Sequence, residues 1–277
     1  MAGSSVAPGS SPLSLDLDRY LPRESPLHRA DPRAKFLATV VFIVAVSLLP
    51  IGSFVAILIA WGLVLIGATV ARVGTFRPAR RAFLAAPFLL AALPLIFTRS
   101  GDPLGTLGLG PLSLTISGEG LVMFATIALR SWICVQAALL LAFTTPFHEL
   151  VDGLRELRLP QVMVSIISFM YRYLGVLADE ATRMSRARAS RSADPDGRGG
   201  GSLTWRAKVT GAMVGSLFLR SYERGERVYA AMQARGFEGE FRHLHRRGMR
   251  PPDYALLGGV VASCVVLVVA AQVWLPR

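Results

Sequence analysis

Between Phe36 and Ala71 the chain carries no charged side chain. Wound as one α-helix, that stretch would reach about 54 Å at 1.5 Å per residue. The hydrocarbon core of a bilayer is only about 30 Å thick. Pro50-Ile51-Gly52 interrupts the run, so it predicts a helical hairpin, with one span from about Pro32 to Leu49 and another from Gly52 to Ala71. Asp31-Pro32 supplies a start signal, a capping carboxylate followed by proline at the first helical position.

Composition points the same way. The 277 residues are 52% hydrophobic and 17% charged, with mean hydropathy +0.47. Soluble domains are nearer a quarter charged, which argues against an ordinary soluble enzyme. The apolar content excludes disorder, and two cysteines exclude a disulfide scaffold. Cys134 and Cys264 both fall in apolar runs and read as membrane-core residues.

Further spans are expected at about Ala82–Thr98, kinked by Pro87 and Pro94, at Gly120–Phe143, which contains Arg130, and at Tyr254–Trp274. The stretch Gln161–Leu177 is apolar but broken by Arg172. Its Ile166, Met170, Tyr173 and Leu177 recur every three or four residues, the mark of an amphipathic helix. It is expected to lie against a surface, as a shallow sixth segment at most. Between Arg99 and Gly118, apolar residues alternate around Gly110-Pro111, which suggests a small β-hairpin or an apolar cap.

The net charge of +12 is distributed unevenly. Five Arg and Lys precede the first span, four follow the second, and eighteen lie in 144–254, leaving only Arg99, Arg130 and Arg277. Five spans put all three rich segments on one side. The positive-inside tendency makes that side cytoplasmic, with the N-terminus inside and the C-terminus outside. The sequence thus reads as an all-α polytopic membrane helix bundle with a cytoplasmic helical coupling region. Its parts are a tail (1–30), a bundle of about four spans (31–143), the coupling region (144–253) and a final span (254–277).

Within the coupling region, Pro146–Leu159 reads as a short amphipathic helix ended by Pro160. Long helices are expected over about Gln161–Ser190 and Leu203–Ala234, separated by a flexible turn over Asp194–Ser202 and stopped by Gly236. Each long helix would extend about 45 Å. Both end on an arginine between very small residues, Ala187-Arg188-Ala189 and Ala234-Arg235-Gly236. Small neighbours allow a partner's backbone to come close, and the guanidinium fork can then bind carboxylate or carbonyl oxygens across an interface. The blander explanation is that cations favour helix C-termini by about 0.3–1 kcal/mol.

The ordered set of motifs resembles the transmembrane T component of energy-coupling-factor (ECF) transporters, in the cobalt-transport CbiQ branch. The stretches that carry the resemblance are Ser25–Lys35, Thr144–Leu150, Leu159-Pro160, Phe169–Leu174, Asp179-Glu180 and the two arginine motifs. It covers roughly residues 20 to 275. The resemblance implies a multi-pass subunit of a bacterial plasma membrane that links two ATP-binding cassette ATPases to a substrate-binding membrane subunit. It implies that Arg188 and Arg235, with Ala187, Ala189, Ala234 and Gly236, dock the ATPases. The first motif departs from the second in having Ala189 where the second has Gly236, and Arg186 and Arg191 stand beside Arg188. Cobalt is the expected cargo; nickel or a vitamin is the alternative.

Arg130 is the intramembrane candidate, because a charge at the bilayer centre costs about 2.5–3.5 kcal/mol. It is expected to face the substrate-binding partner or a cluster of buried carbonyls. His243-x-His245, set among arginines, reads as a basic loop near anionic headgroups and not as a metal site. Glu223 with Arg227, and Asp179-Glu180 with Arg183, read as helix-surface pairs. No P-loop, His-Glu-x-x-His or Cys-x-x-Cys occurs in the sequence. The chain is therefore expected to be non-catalytic, with no metal or cofactor of its own; ATP belongs on the partner ATPases, and nucleic acid is not an expected partner. A membrane enzyme acting on lipid is a remote alternative, since its metal-binding acidic cluster is missing.

Overall fold

The structure is a computed structural model that describes residues 25–74, 93–94, 103–109, 112–157, 160–191, 202–237 and 248–274. The expected span at 82–98 lies outside the described residues apart from a turn at Leu93-Pro94, as do residues 1–24 of the N-terminal tail and His243-x-His245; of the Asp194–Ser202 turn only Ser202 is described. The elements are α1 (Pro26–Arg29), α2 (Pro32–Ser47), α3 (Phe54–Val70), β1 (Pro103–Leu109), β2 (Leu112–Ser117), α4 (Gly118–Thr144), α5 (Phe147–Glu156), α6 (Gln161–Arg191), α7 (Leu203–Ala234) and α8 (Pro251–Trp274). The fold is all-α, relieved by one antiparallel hairpin in which Leu107 pairs with Leu114 and Leu109 with Leu112.

α4, α6 and α8 are each long and apolar enough to cross a membrane, and α3 is a shorter apolar helix. The amphipathic stretch over 161–177 is part of the long helix expected over Gln161–Ser190. It is the apolar half of a continuous helix that passes Arg172 and runs on to Arg191.

The chain divides into two compact units, Arg19–Gly153 with Arg246–Arg277, and Met1–Asp18 with Leu154–His245. The first holds the bundle. In it α8 packs along α2, and α4 packs against both α2 and α3. Phe42, Val46, Ile57, Val64, Ile133 and Leu267 are buried in the shared core. On the other faces Val55, Leu58, Val266 and Val273 are more than half exposed. Large apolar side chains turned outward on uncharged helices suit lipid, not water.

Polar groups tie the helix ends. Asp31 caps α2, its carboxylate accepting the Arg33 amide at 2.9 Å, with Pro32 at the first helical position. The Asp253 carboxylate accepts two backbone N–H groups, from Asp31 at 2.9 Å and from Arg250 at 2.8 Å. One buried side chain thus joins the start of α8 to the start of α2 and serves orphan donors that each helix leaves at its N-terminus. Beside them the Lys35 ammonium, 4% exposed, donates to the Thr144 carbonyl at the end of α4, 3.2 Å away. α5 begins close by. A Cβ on Gly153 would lie 3.4 Å from the Pro32 and Arg33 side chains, at the near limit of ordinary van der Waals contact, so this helix approaches α2 closely.

At the opposite end, Pro50–Gly52 turns between α2 and α3. Gly52 takes a φ of +83°, and its amide donates to the Thr126 hydroxyl of α4 at 3.2 Å. From Thr126 to Thr144 α4 rises about 27 Å, close to the thickness of the hydrocarbon core. Asp253→Ala should strand two N–H groups, that of Asp31 buried and that of Arg250 partly so, and destabilise the bundle by about 2 kcal/mol. A lowered unfolding midpoint in detergent, with Asp253→Asn intermediate because one amide oxygen still accepts, is the expected result.

Candidate functional site

The two arginine motifs both fall in the second unit, on α6 and α7. Arg188 lies in the last turn of α6, on a helix that continues to Arg191, and Ala187 and Ala189 are exposed. Its guanidinium carbon stands 5.8 Å from the centroid of the Trp205 ring. Trp205 is in the first turn of α7, where the Ser202 hydroxyl caps the helix by accepting the Trp205 amide at 3.3 Å.

Eight residues earlier on α6, Glu180 binds Arg183 at 2.7 Å and Arg220 of α7 at 2.9 Å. The pairings 188 with 205 and 180 with 220 show that α6 and α7 run antiparallel. Between them lies a groove of about 580 Å³, lined by Met184, Val209 and Met213 and rimmed by Arg183, Arg191 and Arg220. Glu223–Arg227, at 3.9 Å with both partners exposed, is a loose surface pair. The Tyr222 phenol on α7, hydrogen-bonded to Glu226, is held above its ordinary pKa.

Arg235 stands at the other end of α7, about 45 Å from Trp205 at 1.5 Å per residue. It is the C-cap residue, and Gly236 follows with φ +79°. The Gly236 amide donates to the Gln233 carbonyl at 2.9 Å and the Phe237 amide to the Met232 carbonyl at 3.0 Å, the paired bonds of a Schellman stop. The two motifs are therefore different structures. In the second, glycine is needed because the backbone is left-handed. In the first, Ala189 suffices because the helix has not ended. Ala234, Arg235 and Gly236 are all exposed, and among the described residues neither Arg188 nor Arg235 is paired with a carboxylate.

Arg130, in the bundle, is far from both motifs in sequence and belongs to the first unit. Its guanidinium donates to the Leu49 carbonyl, to the Pro50 carbonyl at 2.8 Å and to the Ser47 carbonyl at 3.5 Å. These are orphan acceptors at the end of α2, left open because the helix stops before Pro50. Of its two expected surroundings, the structure places Arg130 against the carbonyl cluster. It lies one turn from Thr126, beside the α2–α3 turn, and not midway between the ends of the bundle.

Several residues at these sites were not singled out by sequence. In the sequence Lys35 counts only among the cations ahead of the first span and in the Ser25–Lys35 stretch, and Asp253 and Trp205 carry no assigned role. Gln136, a polar residue inside an apolar run, is fully buried, with its amide unpartnered among the described residues. No three of His, Cys, Asp and Glu cluster as metal ligands among the described residues. Cys134 is a free thiol and half-buried; Cys264 is a free thiol and buried.

The family model described as CbiQ, cobalt transport protein, matches residues 23–245. The energy-coupling factor transporter transmembrane protein EcfT of Heliobacterium modesticaldum is 30% identical over 91% of this chain and 96% of its own length. EcfT of Thermanaerovibrio acidaminovorans is 29% identical over 94% of this chain and 96% of its own. The cobalt transport protein CbiQ of Rhodobacter capsulatus is 29% identical over 67% of this chain and 72% of its own. The chain belongs to the CbiQ family and is a transmembrane T component of an ECF transporter.

Two outcomes follow from the geometry. Arg130→Ala should expose three acceptors to apolar surroundings and lower the stability of the isolated protein by about 1–3 kcal/mol. Arg130→Lys should recover part of this, since an ammonium lacks the guanidinium fork. Thermal unfolding in detergent reads both. Gly236→Ala should cost about 1 kcal/mol locally and fray the end of α7, seen as faster amide exchange at Gln233–Phe237.

Proposed function

We propose that this chain is the non-catalytic coupling subunit of an ECF importer, carrying the ATP-driven motion of two ATPase subunits to a substrate-binding membrane subunit for cobalt uptake. The observation that carries the reading is the antiparallel pair α6 and α7. Each helix ends on a small-Arg-small motif, and the two ends are separated by nearly the full length of α7. One rod can thus engage two separate subunits, one at each end. ATPases that close on ATP move relative to each other, and helices anchored to them by Arg188 and Arg235 move with them. Cobalt is supported by the description of the matching family and by the name of the Rhodobacter capsulatus relative.

In this proposal residues 144–253 are cytoplasmic, the N-terminus is inside and the C-terminus outside. The segments rich in arginine support that orientation. ATP is held and hydrolysed only by the partners; this chain holds no metal or nucleotide of its own.

Arg188→Glu or Arg235→Glu should weaken assembly with the ATPases about tenfold or more, since hydrogen bonds to charged groups contribute about 1.5–3 kcal/mol. The double variant should abolish uptake of labelled Co²⁺ in cells while leaving membrane insertion intact. Wild-type co-purification and transport in the double variant would refute the docking role. Uptake of Ni²⁺ in preference to Co²⁺ would refute the cargo alone.

A further inference from the structure

We propose that Trp205 is a positioning residue for the first docking end, holding the Arg188 guanidinium in place for its ATPase partner. The inference rests on the docking role of Arg188 and adds the device that makes that arginine competent.

Three cations, Arg186, Arg188 and Arg191, crowd the end of α6, and sequence alone does not choose among them. The structure distinguishes Arg188. Arg186 and Arg191 are exposed, whereas Arg188 is half-buried with its guanidinium over the indole of Trp205. A separation of 5.8 Å from the ring centroid is within the reach of a cation–π contact, which is strongest for tryptophan.

Helix dipoles do not explain the placement. The end of α6 favours a cation, but Trp205 sits in the first turn of α7, whose N-terminus disfavours one. The two effects oppose, and the indole face remains as the attraction. A cation–π contact uses the charge of the guanidinium and not its hydrogen-bond donors, so the N–H groups remain available to an acceptor.

The backbone that carries the indole is fixed. Ser202 caps α7 through the Trp205 amide, and the Glu180–Arg220 bridge sets the register of the two helices further along. A flexible arginine loses rotamer freedom on binding, and ordering it beforehand lowers that cost. Arg235 has no such brace among the described residues; its setting comes from the backbone of the Schellman stop. The two docking ends are thus prepared by different means, one by a side chain from the neighbouring helix and one by a left-handed glycine.

The test is a double-mutant cycle on the full-length chain assembled with its two ATPases, reading the affinity of the complex. Trp205→Ala should weaken assembly about fivefold, the size of a partly exposed cation–π contact. Trp205→Phe should keep most of the affinity, and Trp205→Leu, equally apolar but without a π face, should not. In an Arg188→Ala background, Trp205→Ala should have no further effect.

Additive losses, or full rescue by leucine, would overturn the positioning role while leaving Arg188 as the docking residue. Unchanged assembly in Arg188→Ala would sink the docking reading itself, and this inference with it. Arg235→Ala should weaken assembly by the same factor whether or not Trp205 is present. Matching unfolding midpoints for the Phe and Leu variants exclude a folding artefact.

Discussion

The bundle depends on how its helix ends are satisfied. Inside a bilayer no water reaches an orphan amide or carbonyl, so every helix terminus needs a partner from the protein. Asp253 serves two N-termini, Lys35 caps the end of α4, and Arg130 gathers the carbonyls at the end of α2. The apolar faces between these points are nearly interchangeable with lipid tails and give the helices little reason to prefer each other. The polar ends therefore fix register, and the aliphatic core fills in around them. The stretches Ser25–Lys35 and Thr144–Leu150, far apart in sequence, meet through one such contact, from Lys35 to Thr144.

The α6–α7 pair is held together differently. It has few apolar contacts and many exposed side chains, among them Phe218, Leu219 and Tyr222. Its register comes from the Glu180–Arg220 bridge and from the cation–π contact of Arg188 with Trp205. Surface ion pairs are individually weak, on the order of 0–1 kcal/mol. Such a pair suits a part that changes partners more than a part that supports a core.

Much of the fold was legible in the sequence because helix boundaries are written locally. Asp31-Pro32 starts α2, Leu203 and Ala234 bound α7 where the turn residues placed them, and the alternation around Gly110-Pro111 became a hairpin. Contacts between distant segments were not legible. Nothing near Asp253 says that its carboxylate reaches Asp31, and nothing near Arg130 names carbonyls some eighty residues earlier. Lys35 is visible in the sequence only as one of five cations ahead of the first span, and its burial on the Thr144 carbonyl is not. For the two arginine motifs, the residue types, the spacing and the stop at Gly236 were visible. What was hidden was the contact of Arg188 with Trp205, because it joins two helices whose pairing is set only in the three-dimensional chain.

The double grip of Asp253 has a mechanical meaning. Arg250 immediately precedes α8, and its amide is bonded to the same carboxylate that holds Asp31. The chain's last long helix and the first of the hairpin are thus yoked at their starting points, so a displacement of either one strains a bond shared with the other.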